Sequence, residues 1–260
     1  MRSSVEWRIP QWANDLGIAF FRPVCLVCNR PINGSDAGDV GGAESIVCDG
    51  CLFGIERISE PTCRRCGTSR SSGRDRECEM CRRLPPGLDT IRSAALMTGT
   101  GGALVRLFKY GGWSSLARTL ALGIVSSPWS DAGFWDADLL IPVPISGVRR
   151  RERGYDQCRL LAEAISELVG TPIETGILER VSWVRPQVGL SIHERLSNVS
   201  EAFRVSPVRS EKLAGKRIIL VDDVITTGAT LAACYLSLRK GGADRIRGLS
   251  YGRAENPVDF

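Results

Sequence analysis

The sequence predicts an α/β protein with a parallel sheet, preceded by a small cysteine-rich module. Three observations carry that prediction. From residue 91 onward, short apolar runs alternate with amphipathic stretches, the order expected when strands and helices alternate around a parallel sheet. Eight of the ten cysteines stand as four Cys-x2-Cys pairs between residues 25 and 81. One apolar run, residues 218–221, leads through two carboxylates into a glycine–threonine bend and then a helix-forming stretch.

The chain has 260 residues, 43% hydrophobic and 24% charged, which suits a folded protein and excludes a disordered one. A net charge of +5 permits contact with polyanions without demanding it. No stretch approaches the roughly 18 uncharged apolar residues that a membrane helix needs. The apolar run 17–21 is too short for a secretory signal, and no small-residue cleavage site follows it. The expectation is a cytoplasmic chain without membrane insertion, in a compartment where thiols stay reduced.

Residues 1–24 form an N-terminal segment. Its Ile9, Trp12, Leu16, Ile18, Phe20 and Phe21 suit either a short amphipathic helix or a frayed end. Residues 25–83 form the cysteine module, with the pairs Cys25/Cys28, Cys48/Cys51, Cys63/Cys66 and Cys78/Cys81. Four such pairs make two closed sites of four thiolates. Zinc suits them because it is borderline-soft, has no redox chemistry and accepts four sulfurs; a closed site is structural, with no position open for catalysis. Disulfides and an iron–sulfur cluster are the alternatives. The reducing compartment opposes the first, and the usually tighter spacing of cluster ligands opposes the second. The pairing stays open between sequential (first with second, third with fourth) and cross-braced.

Residues 25–51 carry Arg30 against Asp36, Asp39, Glu44 and Asp49, whereas residues 63–83 carry Arg64, Arg65, Arg70, Arg74, Arg76, Arg82 and Arg83 against three acids. The second half therefore suits either a nucleic-acid backbone or a solvated surface. Residues 84–90, which begin Leu84-Pro85-Pro86-Gly87, read as a linker.

The sheet domain occupies residues 91–260. Strands are expected at 91–97, 139–143, 218–221 and 246–251, and helices at 103–110, 114–125, 157–168 and 229–240. Cys158 and Cys234 fall inside helices and read as small buried apolar residues.

Residues 218–230 are the most informative. Backbone N–H groups at a helix start attract phosphate, and Gly228 lets the chain approach an oxyanion closely. Thr226, Thr227 and Thr230 supply hydroxyls. Asp222 and Asp223 can accept from sugar hydroxyls or hold a hydrated Mg²⁺. The GxxxxGK[ST] pattern of a nucleotide-binding P-loop is missing.

This stretch, four apolar residues, two acids and then Thr226-Thr227-Gly228-Ala229-Thr230, resembles the motif that binds 5-phosphoribosyl-1-pyrophosphate (PRPP) in type I phosphoribosyltransferases. The resemblance implies that residues 226–230 hold the 5-phosphate and that Asp222 and Asp223 face the ribose hydroxyls. Further matches make the chain similar to the ComF family of competence-associated proteins. They are the N-terminal cysteine pairs, Phe108-Lys109-Tyr110-Gly111, Ile141-Pro142-Val143-Pro144, Arg153-Gly154-Tyr155-Asp156-Gln157, and the spaced set Gln187, Leu190, Arg195, Asn198, Val199, Ala202 and Phe203. Two positions depart from the family pattern. Asp156 replaces an asparagine and adds charge near the expected pyrophosphate loop, and Val184 stands where a threonine is expected.

The resemblance implies a type I phosphoribosyltransferase fold behind two structural zinc sites. Lys109, Arg149, Arg150, Arg153, Gln187 and Asn198 are the candidates for the pyrophosphate and the flexible loop. For the run 149–153, pyrophosphate clamping, nucleic-acid contact and a solvated face are all open. Lys109 reads equally as a phosphate contact or as a cation at a helix end. Residues 185–203 resemble a lid over the site, and His193 within them reads as a surface residue. For an enzyme, the implied reaction is displacement of pyrophosphate from C1 of PRPP by a nitrogen nucleophile, with Mg²⁺ on the leaving group and Asp222, Asp223 and Arg195 as catalytic candidates. The other implication is a non-catalytic protein that binds PRPP and single-stranded DNA alongside the competence machinery. The residues name neither an acceptor nor an oligomeric state.

Overall fold

The computed structural model describes residues 23–32, 46–70, 78–88, 90–181 and 202–254. The chain forms two compact units, 1–54 and 55–260. In the first, a knuckle is closed by an antiparallel bridge between Val24 and Pro31 and by the Asn29 N–H donating to the Cys25 carbonyl at 2.8 Å. Asn29 turns the corner at φ 58°, a left-handed value that asparagine tolerates better than most residues. Helix α1, Asp49–Phe53, follows Cys48.

The second unit opens on the same design. Thr62 bridges Ser69, the Gly67 N–H donates to the Cys63 carbonyl at 2.8 Å, and Gly67 takes the left-handed corner at φ 69°. Helix α2, Glu79–Arg83, is capped by Cys78, whose sulfur accepts from the Cys81 N–H.

The chain then alternates. In order come β1 (Ile91–Leu96), α3 (Gly99–Tyr110), α4 (Leu116–Val125), α5 (Ala132–Trp135), β2 (Leu139–Pro142), α6 (Gly147–Arg153), α7 (Gln157–Val169), β3 (Leu178–Arg180), β4 (Phe203–Val205), a 3-10 turn (Pro207–Leu213), β5 (Arg217–Ile225), α8 (Ala229–Lys240) and β6 (Arg245–Arg253). Strands β1, β6, β5 and β2 lie side by side in that order, every pairing parallel. Parallel strands are covered on both faces, which is why β5 reads Ile-Ile-Leu-Val and keeps residues 218–223 buried. Helices α4 and α7 pack on each other and on the sheet, and α8 packs on β5 and on the antiparallel pair β3–β4. Among the described residues, no helix is long and apolar enough to cross a membrane.

The expected strands and helices are present, with three differences. Strand β5 runs on to Ile225, so Asp222 and Asp223 belong to the strand itself. The basic run 149–153 lies in a helix, α6, started by the Ser146 hydroxyl accepting from the Arg149 N–H and stopped by Gly154 at φ 79°. The expected linker is a packed strap. Arg65 donates to the carbonyls of Cys81 (3.0 Å), Leu84 (3.3 Å), Pro85 (2.7 Å) and Leu88 (3.1 Å), and the Tyr235 hydroxyl donates to Pro86 at 2.8 Å. Leu84 and Leu88 are buried. The compact units divide at Gly54/Ile55 rather than at 84–90, and side chains of the sheet unit hold the strap's carbonyls.

Candidate functional site

In an open parallel sheet, the carboxyl ends of the strands are where a ligand finds both a crevice and free helix starts. Here β2 ends in Pro142, and β5 ends in Ile225 just before residues 226–230. A cleft of about 470 Å³ opens there. From the β5 side it is lined by Asp222, Asp223, Val224, Thr226 and Thr230, and from α3 and α6 by Lys109, Tyr110, Arg149 and Arg153. Gln157, Cys158 and Arg180 complete its polar wall.

The two carboxylates differ. Asp222 Oδ1 accepts from the Asp223 N–H at 2.9 Å and from the Cys158 thiol at 3.4 Å. Burial, with the charge of Asp223 adding to it, pushes Asp222 up to about 7 despite the opposing pull of Lys109. Asp223 is held by Lys109, whose Nζ lies 2.9 Å from its Oδ1. Burial first, then Asp223 and Asp222, push the Cys158 thiol well above its ordinary range. Three buried polar atoms around the cleft have no partner among the described protein groups: Asp223 Oδ2, Gln157 Oε1 and Arg153 Nη1. Buried polar atoms left unpaired are costly, so this grouping is built to receive something polar.

Gly228 opens α8 in the left-handed conformation, φ 77°. A side chain there would begin 2.7 Å from Met80 Cε and 3.0 Å from Leu84 Cδ2, so glycine is required on both counts. Asp156, read from the sequence as extra charge near an anion loop, accepts from the Arg159 N–H and caps α7. An asparagine does that job equally well.

Of the expected site residues, Asp222, Asp223, Thr226, Thr230, Lys109, Arg149 and Arg153 meet at the cleft. Thr227, Gly228 and Ala229 form the turn between them, and Arg150 is not part of the lining. Gln187, Arg195 and Asn198 lie outside the described residues, as does His193. Three residues of the cleft's polar wall carried no expected site role. Gln157 sat unassigned within the motif at 153–157. Cys158 was read as plain apolar filling; it is buried, as Cys234 is, but it touches Asp222. Arg180, whose guanidinium lies 5.3 Å from the Phe203 ring centre, comes from a three-residue strand with no sequence signal of its own.

The cysteines pair sequentially. The sulfurs of Cys25, Cys28, Cys48 and Cys51 lie within 4.8 Å of one another, and so do those of Cys63, Cys66, Cys78 and Cys81. Sulfur–sulfur distances of 3.7 Å (Cys28–Cys48), 3.6 Å (Cys63–Cys81) and 3.2 Å (Cys66–Cys78) approach the edge of about 3.8 Å that a tetrahedral zinc–thiolate site requires. Backbone N–H groups of Val27 and Cys48 point at Cys25 Sγ, each at 3.4 Å. Beside the second quartet, the guanidinium of Arg253 is fully buried. Burial disfavours its charge, and Cys66, Cys78, Cys81 and Cys63 favour it. A buried cation whose compensating neighbours are four sulfurs fits a metal-bound, anionic thiolate set. Each quartet can hold one zinc ion.

Residues 157–249 match the family model described as phosphoribosyl transferase domain. The chain is 30% identical over 239 residues to Competence protein F of Haemophilus influenzae, covering 90% of this chain and 99% of that protein. It is 29% identical over 229 residues to the DNA utilization protein YhgH of Salmonella typhimurium (86% and 94% covered), and 27% identical over 244 residues to Competence protein ComFC of Bacillus subtilis (89% and 96% covered). Among solved structures, a glutamine PRPP amidotransferase from B. subtilis complexed with ADP and GMP is similar at 23% identity and a TM-score of 0.34, over 54% of this chain and 26% of that one. The cysteine quartets, the strand-end cleft and relatives that align over nearly the whole length agree: the chain belongs to the ComF family, and its sheet unit is a phosphoribosyltransferase domain.

Proposed function

We propose that the chain binds PRPP with Mg²⁺ in the strand-end cleft and transfers its phosphoribosyl group to a nitrogen acceptor, releasing pyrophosphate. One observation carries this reading: a buried acidic pair, a glycine–threonine helix start and a basic wall share one cleft whose buried polar atoms lack partners. Residues 226–230 receive the 5-phosphate through N–H groups and hydroxyls at the start of α8. Asp222 and Asp223 accept from the ribose hydroxyls. Ligand entry draws Lys109 from Asp223 toward the pyrophosphate, where Arg149 and Arg153 join it. Mg²⁺ supplies charge neutralisation on the leaving pyrophosphate. The chain's own work is positioning and electrostatics, with no covalent step on a side chain. Zinc at both quartets is structural.

The relatives' names speak only of competence and DNA utilization, and they motivate a second reading, in which the chain binds PRPP and single-stranded DNA and acts in DNA uptake without turnover. Its arginine-rich face is narrower than the sequence suggests, because Arg65 is spent on four backbone carbonyls. Pyrophosphate release from PRPP and Mg²⁺ with a panel of bases and amines separates the two. Turnover with any acceptor supports the transferase. PRPP binding without turnover, together with salt-sensitive DNA binding lost in Arg149→Ala, supports the module.

A further inference from the structure

The second quartet lies directly behind the phosphate loop. Met80 stands between two of its sulfur-bearing residues, Cys78 and Cys81, on α2. The Cε of Met80 fills the space where a side chain at Gly228 would begin, 2.7 Å from that Cβ position, and Leu84 Cδ2, from the strap that follows α2, lies 3.0 Å from the same point. Arg253 Nη1 donates to Met80 Sδ at 3.0 Å, its Nη2 donates to the Cys66 carbonyl, and Thr68 Oγ1 lies 3.9 Å from the same Sδ. Arg253 ends β6. The next N–H, from Ala254, donates at 3.0 Å to the carbonyl of Ile225, one residue before the loop. Two short routes thus join four sulfurs to the five residues expected to take a phosphate, one through Met80 and one through Arg253.

We propose that Met80 is a positioning residue for residues 226–230, and that the metal at Cys63, Cys66, Cys78 and Cys81 holds it there. The inference rests on the PRPP reading of the cleft. The physical reason is simple. Gly228 has no side chain to anchor it, and its left-handed backbone is free to turn unless something backs it. A phosphate gains from helix-start N–H groups only when they are already aimed, because turning them on binding costs affinity. Methionine is otherwise a pliable filler. Here its freedom is removed by two flanking ligands and a guanidinium on its sulfur.

The test uses the full-length zinc-loaded protein. PRPP with Mg²⁺ is titrated calorimetrically into wild type, Met80→Ala and Met80→Leu, with zinc content measured for each. The expected result is full zinc in all three, PRPP affinity lowered about tenfold or more in Met80→Ala, and affinity within about threefold of wild type in Met80→Leu. Met80→Ala with full zinc and unchanged affinity overturns the proposal and leaves the PRPP reading standing. A wild type that takes up no PRPP removes that reading and the proposal together. A second readout needs no variant to fold. The chain has three methionines, so methyl-labelled wild type gives few resonances. The Met80 methyl signal should shift when PRPP and Mg²⁺ are added, and an unmoved signal at saturating PRPP counts equally against the proposal.

Discussion

The two cysteine quartets share the Cys-x2-Cys pairs, the bridge position and the left-handed corner, yet they differ in what surrounds them. Around the first, Cys28 is exposed, Cys48 and Cys51 are half-buried, and the buried apolar company among the described residues of that unit is Cys25, Ile32 and Val47. Around the second, Cys63, Cys66 and Cys81 belong to one buried cluster with Leu84, Leu88, Leu231 and Tyr235. The same knuckle therefore does two jobs. Among the described residues the first quartet has little apolar cover, so its local order is expected to depend on a bound metal. The second would add a metal to a core that hydrophobic burial already supports, and it shares that core with helix α8.

The sharpest way to break this comparison is to remove one ligand from each. Cys63→Ser should lower the main thermal transition by roughly 10 °C or more, since it removes a metal ligand inside that buried cluster. Cys25→Ser should lose one zinc equivalent and leave that transition in place. Equal shifts in the two variants, read by calorimetry with zinc analysis, would erase the distinction. Next in size is Gly228→Val. The side chain would meet Met80 and demand a left-handed valine, so PRPP affinity should fall more than about 100-fold, as read by calorimetric titration. Arg65→Ala should cost about 2 kcal/mol, on the order of 5 °C, by freeing the carbonyls of the strap, while the exposed Arg64→Ala should stay near wild type in the same melt.

A further effect is one of pH. Asp222 sits at about 7 against an ordinary 3.8, so between those values the folded chain keeps a proton that the unfolded chain has released. Stability should fall as pH rises from about 4 to 7, while PRPP binding, which needs a carboxylate acceptor, should tighten over the approach to 7 and level off above it. Asp222→Asn should flatten both profiles, measured by denaturant melts and by titration across that range.

Much of this was legible in the sequence, for physical reasons that differ along the chain. Parallel strands must be apolar on both faces, so residues 139–143, 218–221 and 246–251 declared themselves. The glycine–threonine turn at 226–230 declared itself because few backbones other than a helix start need Gly228 among threonines. Helix α6 hid because its arginines lie on a surface helix with almost no apolar face, and β3 and β4 hid because three-residue strands carry no period. The strap at 84–88 hid behind its prolines. Its order comes from Arg65 and Tyr235, residues distant in sequence whose role no local pattern reveals. Cys158 looked like filling because burial is what a cysteine inside a helix usually means; only the fold brings its thiol to Asp222.

The central claim is that one cleft at the carboxyl end of β5 takes PRPP. Isothermal titration of PRPP into the zinc-loaded protein in the presence of Mg²⁺ tests it most directly. The account predicts a single saturable site, abolished by Asp223→Ala in a variant that keeps its zinc and its melting temperature. Absence of any binding heat in wild type across several temperatures, or a wild-type isotherm from Asp223→Ala, would contradict it.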